Sequence, residues 1–262
     1  MNARQRRWKR YRDIGGLVLR RPSVALRRCR YLFILGHMRS RSSLLSHILG
    51  SHPDISGYAE SHVRYDGRLD FIRLRYRVRE MLDGAALSRY VLDKVLHSWY
   101  LQPALLERME ARTILLVREP AGSMRSLASQ EVRKGEGSPL ERSLKHYRRQ
   151  LDWLEACAAG LSRRPVFIES SSLLGNTPRV LELLRDRLAL SEPLSERYDL
   201  FKHTGRPVYG DPSDIIRTGT VVRDAPATGE AEAEIPAALL DEARRAYEHC
   251  VSILRQRCEH IG

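Results

Sequence analysis

The sequence predicts an α/β protein, one domain built on a parallel β-sheet flanked by helices on both faces. Three observations carry that expectation. Several short runs are apolar without in-out alternation, as in strands covered on both sides. Amphipathic stretches of helical length stand between them, the order that a parallel sheet requires. With 262 residues, 42% hydrophobic and 29% charged, the chain can hold a full core within one domain.

The elements follow in order. Residues 31–35 (YLFIL) read as a buried strand ending at Gly36. Leu44, Leu45, Ile48 and Leu49 have helical spacing over 42–51, and His52-Pro53-Asp54 stops that helix. Residues 67–83 form an amphipathic pattern with Leu69, Ile72, Val78 and Leu82 inward and an Arg-rich outer face. Two more strands are expected at 90–95 (YVLDKV) and 113–117 (TILLV). Helices follow at 120–132 and 139–159, the latter with Leu140, Leu144, Tyr147, Leu151 and Leu154 on one face. Residues 165–168 (PVFI) read as a strand, and 178–188 as a helix opened by Pro178. Seven Gly and Pro residues between 205 and 229 mark 198–232 as a long loop region. Leu239, Leu240, Ala243, Tyr247, Val251 and Leu254 share one side of a terminal helix over 236–260. No internal repeat is visible.

Charge is unevenly placed. The chain has 45 Lys and Arg against 32 Asp and Glu, a formal +13, and residues 1–30 hold eleven of the bases and one acid, Asp13. The expected organisation is a basic tail over 1–30 and a single near-neutral domain over 31–262. Such a domain lacks the basic face of a nucleic-acid-binding fold, so no specific nucleic acid is expected. Three readings of the tail stay open: a solvated arm, an anchor on anionic membrane head groups, and a start codon upstream of the true one. Residues 1–29 are expected to be dispensable for the fold.

No apolar run reaches transmembrane length. The stretch 15–19, closed by Arg20 and Arg21, is too short for a signal-peptide core. Cys29, Cys157, Cys250 and Cys258 form neither CxxC pairs nor a metal-ligand spacing, which fits a reducing cytoplasm. Forty Arg against five Lys fits GC-rich bacterial coding. The expected location is cytoplasmic, or peripheral to the inner face of the membrane. His47 and His52 are expected to cap the first helix or face solvent.

The first strand runs into Gly36-His37-Met38-Arg39-Ser40-Arg41-Ser42-Ser43 and then a helix. A tight turn aims backbone N–H groups inward, and the helix N-terminus adds partial positive charge, so the segment suits an anion. It is not a Walker A loop, because Arg41 and Ser42 stand where glycine and lysine would be required. A second motif, Arg118-Glu-Pro-Ala-Gly-Ser-Met-Arg-Ser126, follows the strand 113–117. Arg118 then lies at the carboxyl end of a parallel strand, the edge where open α/β sheets take ligands.

Together the two motifs resemble the sulfotransferases that use 3′-phosphoadenosine-5′-phosphosulfate (PAPS), a branch of the P-loop NTPase-like architecture. Residues 44–60 (LLSHILGSHPDISGYAE) resemble the family's continuation of the first helix, Asp93-Lys94 its DK element, and 203–220 its C-terminal loop. The resemblance covers roughly 31–222. It implies a sulfotransferase fold, no metal, PAPS as donor and PAP as product, with the first loop on the 5′-phosphosulfate and Arg118 and Ser126 on the 3′-phosphate. It places Arg206 in the loop that closes over the donor. The sequence departs from the family's [KR]SGTT pattern: Arg41 replaces glycine, and Ser42 and Ser43 replace the threonines.

Sulfuryl transfer calls for positioning, charge stabilisation and a base for the acceptor proton. Arg39 is expected on the bridging and 5′-phosphate oxygens, and Lys94 at the sulfonate. The resemblance offers two bases: Glu60 after the HP turn, as in tyrosylprotein and related bacterial enzymes, and His97, one register off the cytosolic pattern. His62 ranks third. Trp99-Tyr100 is either acceptor wall or core. The acceptor is an unidentified hydroxyl or amine of a glycan, lipid, peptide or small metabolite. Two other classes stay open: another P-loop transferase or kinase, and a non-catalytic nucleotide-binding module with a basic tail.

Overall fold

The computed structural model describes residues 3–132, 139–206, 208–211, 213–223 and 235–262. Two helices come first, α1 (Ala3–Arg20) and α2 (Pro22–Leu26), then β1 (Arg30–Gly36), α3 (Ser42–Gly50), β2 (Ile55–Ser56), α4 (Arg68–Met81) and β3 (Tyr90–Val95). The chain continues through α5 (Pro103–Arg108), β4 (Arg112–Val117), α6 (Pro120–Val132), α7 (Pro139–Ala159), β5 (Val166–Glu169), α8 (Ser170–Gly175) and α9 (Thr177–Leu188). Last come α10 (Ala237–Arg257) and β6 (Glu259–Ile261). The six strands form one all-parallel sheet in the order β2-β3-β1-β4-β5-β6.

The apolar runs are strands because both faces of the sheet are covered. Tyr31, Phe33 and Leu35 enter one core with residues of α4 and α7, while Leu32 and Ile34 enter the other with Leu45, Ile48 and Leu49 of α3. Alternate residues of a strand point to opposite faces, so a strand covered on both sides reads as a near-continuous apolar run. The predicted α/β fold with helices on both faces is the fold observed.

Two local expectations are corrected, and among its described residues the long loop region is as expected. On α4 the buried residues are Asp70, Phe71, Leu74, Tyr76, Val78 and Met81, whereas Leu69 is exposed and Ile72 half-buried. The spacing of Phe71, Leu74 and Val78 marks that face. The terminal helix stops at Arg257, and the last residues pair with β5 through Val166, Phe167 and Ile168. Within 198–232, the described residues contain only a 3-10 turn, Asp214–Thr218, and one bridge from Arg197 to Thr220; 207, 212 and 224–232 lie outside the described residues.

The basic segment is not a free arm along its length. Ile14 and Val24 are buried, and Leu17, Val18 and Ala25 pack on the core beside α4. Arg75 of α4 donates to the carbonyls of Ala25 (2.6 Å) and Arg27 (3.0 Å), and the Tyr76 hydroxyl donates to that of Arg21 (2.8 Å). Among the bases of α1, Ile14, Leu17 and Val18 form an apolar pattern too short to read as a core face. Deleting residues 1–29 is therefore expected to destabilise the protein. Burying one aliphatic side chain contributes about 1.5–3 kcal/mol, and losing two lowers Tm by about 5–15 °C in a domain of this size. Scanning calorimetry of the truncated chain checks this, and an unchanged Tm would contradict it.

Candidate active site

β1 sits between β3 and β4, so the chain leaves it to one side and returns on the other. That reversal opens a crevice at the carboxyl edge. The loop 37–41 fills it, with Lys94 of β3 in register with Ile34 on one flank and Arg118, just past β4, on the other. The resulting pocket of about 130 Å³ is lined by Met38, Arg39, Arg41, Ser42, Ser43, Glu60, Lys94, Leu96, Arg118, Gly210 and Asp211.

Backbone geometry shapes the turn. Arg39 and Arg41 both adopt left-handed angles, φ 66° and 65°, and Arg41 is the N-cap of α3. A glycine at position 41 would hold this angle freely; a side chain there carries strain of order 1 kcal/mol or more. The Arg41 guanidinium reaches the carbonyl and hydroxyl of Ser170, both at 3.3 Å. Burial and then the neighbouring Arg118 cation lower it to about 10. A Cβ at Gly36 would lie 2.8 Å from the Leu116 carbonyl oxygen, so close packing against β4 requires glycine there.

The two motifs meet in space. Arg39 Nε donates to Ser126 Oγ at 2.5 Å, and Arg118 Nη1 donates to the Arg39 carbonyl at 3.2 Å. His37 is fully buried beneath them and does not line the pocket. Its Nε2 accepts the Arg118 backbone N–H (3.0 Å) and its Nδ1 donates to the Met38 carbonyl (2.9 Å). Burial lowers it to about 4, so the ring is neutral at physiological pH and ties the first loop to the second motif.

Lys94 and Glu60 face each other. Lys94 Nζ lies 3.8 Å from Glu60 Oε1 and donates to Ser43 Oγ at 3.0 Å. Burial pushes Glu60 up against the pull of Lys94, and pushes Lys94 down against Glu60 and Asp211. A carboxylate with raised proton affinity is a stronger base. Buried Asp93 holds the backbones on both sides of this pair: it accepts the N–H (2.9 Å) and hydroxyl (2.6 Å) of Ser61, the N–H of Lys94 (2.9 Å), and the Tyr65 hydroxyl.

Some predicted residues stand elsewhere. His97 stacks on Trp99 with ring centroids 4.4 Å apart and does not line the pocket. Arg206 is exposed and also lies outside the lining. His62 is exposed, bonded to the Val208 carbonyl at 2.7 Å. His47 and His52 are buried, not solvent-facing: His47 bridges the Ser43 carbonyl and Thr204, and His52 the Asp54 N–H and the Glu192 carbonyl.

Two residues escaped sequence reasoning. Asp211 pairs with Arg39 at 3.1 Å, and its N–H donates to Ser43 Oγ at 2.9 Å. Burial alone would raise its carboxyl, but Arg39 and the Ser213 N–H outweigh that and hold it low. Ser43 Oγ thus accepts two bonds, which leaves its proton to donate into the pocket. Buried Gln150 of α7 donates to the carbonyl of Leu96 (2.7 Å) and accepts the N–H of Ser98 (3.0 Å), fixing the turn after β3. Neither has a local signal, because loop closure and long-range amide contacts leave no periodicity.

No family model and no curated protein matches the sequence. Solved structures do share the fold. The sulfotransferase domain from the curacin biosynthetic pathway superposes with a TM-score of 0.61 at 18% identity, covering 85% of this chain and 98% of that one. The sulfotransferase domain from the Synechococcus PCC 7002 olefin synthase gives 0.60 at 18% identity, covering 86% and 96%. The chain therefore has the fold of sulfotransferase domains, as its motifs led us to expect.

Proposed function

We propose that the protein is a sulfotransferase that moves the sulfuryl group of PAPS to a hydroxyl or amine acceptor. The observation that carries this reading is the junction of Arg39, Arg118 and Ser126, two distant motifs joined at one sheet edge, with the Lys94–Glu60 pair in the same pocket. The shared fold supports it.

The residues fit a polyanion. Ser40 Oγ is fully buried in the turn with no partner among the described residues, and three guanidinium-bearing residues line the pocket. An internal carboxylate, Asp211, already rests against Arg39. When bound, PAPS would supply an activated sulfuryl group on a phosphate leaving group. Arg39, Ser42 and Ser43 would hold its 5′ end, and Arg118 and Ser126 its 3′-phosphate. Glu60 rather than His97 would take the proton of the acceptor hydroxyl as the new O–S bond forms. Lys94 and Arg39 would stabilise the charge gathering on the phosphate oxygen as the old S–O bond breaks.

The test is a thermal-shift series with PAP, ATP and GTP. A ligand at a hundredfold its Kd adds about 2.7 kcal/mol of apparent stability. PAP is expected to shift Tm strongly and ATP weakly, and equal shifts would contradict the reading.

A further inference from the structure

Charge and exposed apolar surface coincide at the N-terminal end of the chain. Among the described residues, eight large hydrophobic side chains are exposed, and five of them lie on α1, α2 and α4: Trp8 (68% exposed), Tyr11, Leu19 (85%), Leu26 (80%) and Leu69. These elements and the segments that flank α2 expose Arg12, Arg20, Arg21, Arg27, Arg28 and Arg73, with Asp13 an exposed acid on α1. Ile14, Val24 and the Arg75 and Tyr76 hydrogen bonds hold α1 and α2 against the body by one face. The exposed side chains of α1 and α2 are thus carried on anchored helices rather than on a loose arm.

We propose that this surface docks on an anionic lipid bilayer. Basic residues are drawn to acidic head groups, and Trp and Tyr settle at the head-group level while leucines enter the acyl boundary. Charge complementarity selects the occupant. A second copy of this face would meet it with like charge, and a nucleic acid would leave Leu19, Leu26 and Leu69 without apolar partners. Among the described residues no helix is long and apolar enough to cross a membrane, so the contact is with the surface. The inference stands on the exposed face alone and does not depend on the proposed chemistry.

The experiment is co-sedimentation of the full chain with vesicles of phosphatidylcholine alone or with about 30 mol% phosphatidylglycerol. Binding is expected only to the anionic vesicles, and is expected to be lost in about 1 M salt, where the Debye length falls to about 3 Å. The combined variant Trp8→Ser, Leu19→Ser, Leu26→Ser keeps every charge and removes only exposed side chains. It is expected to keep its Tm and to bind anionic vesicles about tenfold or more weakly. Arg27→Glu with Arg28→Glu is expected to weaken binding as well. No binding, equal binding to neutral vesicles, or undiminished binding by the triple variant would overturn the proposal. The last result would leave a purely ionic patch that an oligonucleotide satisfies equally.

Discussion

Glu60→Gln is expected to lower the rate of sulfuryl transfer by about 10²–10⁴-fold, the usual contribution of a general base. PAP affinity is expected to stay within about a few fold, because Glu60 faces Lys94 and would repel rather than hold the donor's phosphates. The pH dependence follows from the direction of its shift. Burial raises the Glu60 carboxyl, and the base must be deprotonated to act. Activity in the wild type should therefore fall with decreasing pH at a higher pH than an ordinary glutamate would give. Glu60→Gln should lose that acid limb altogether. Single-turnover transfer of labelled sulfate, with the acceptor that profiling identifies, measures both. A full rate in Glu60→Gln alongside an inactive His97→Gln would move the base to the histidine.

Lys94→Met is expected to cost about 10²–10³-fold in turnover, the effect of removing one positioned electrostatic stabiliser from a desolvated site. It should also move the acid limb rather than abolish it. Lys94 is the largest charge pulling Glu60 down against burial, so without it the Glu60 carboxyl rises further and the limb shifts to higher pH. Lys94→Arg is not expected to rescue the rate, since the larger planar group must fit a site that leaves Lys94 2% exposed. Rate against pH for Glu60→Gln and Lys94→Met separates a base from the cation that tunes it. An unmoved limb in Lys94→Met would break the coupling inferred from their 3.8 Å separation.

The elements legible in the sequence share a physical cause. β1, β3 and β4 read as short apolar runs without in-out alternation because both faces are covered, with Asp93 and Lys94 of β3 the buried exceptions. The spacing of Arg118 and Ser126 was visible because both sit within one strand-to-helix connection. Glu60 was visible only through the resemblance, which implies a base after the HP turn. Features set by distant partners were not. β6 is three residues long and exists because β5 offers it an edge. Asp211 acquires meaning only when its loop reaches Ser43, 168 residues away in sequence. His37 sits in the loop as expected, yet the need to satisfy the Arg118 N–H turns its ring inward, and a residue list cannot show that direction.

In the proposed sulfotransferase, one arm of the pocket would read a 3′-phosphate separately from the arm that would read the 5′ end. Calorimetric titration of PAP and 5′-AMP into the wild type and Arg118→Ala tests it directly. PAP should bind the wild type far more tightly than 5′-AMP. Arg118→Ala should lose about 1.5–3 kcal/mol toward PAP, the value of a charge-assisted phosphate contact, and change little toward 5′-AMP. Equal losses for both ligands, or equal wild-type affinity for PAP and 5′-AMP, would contradict the account.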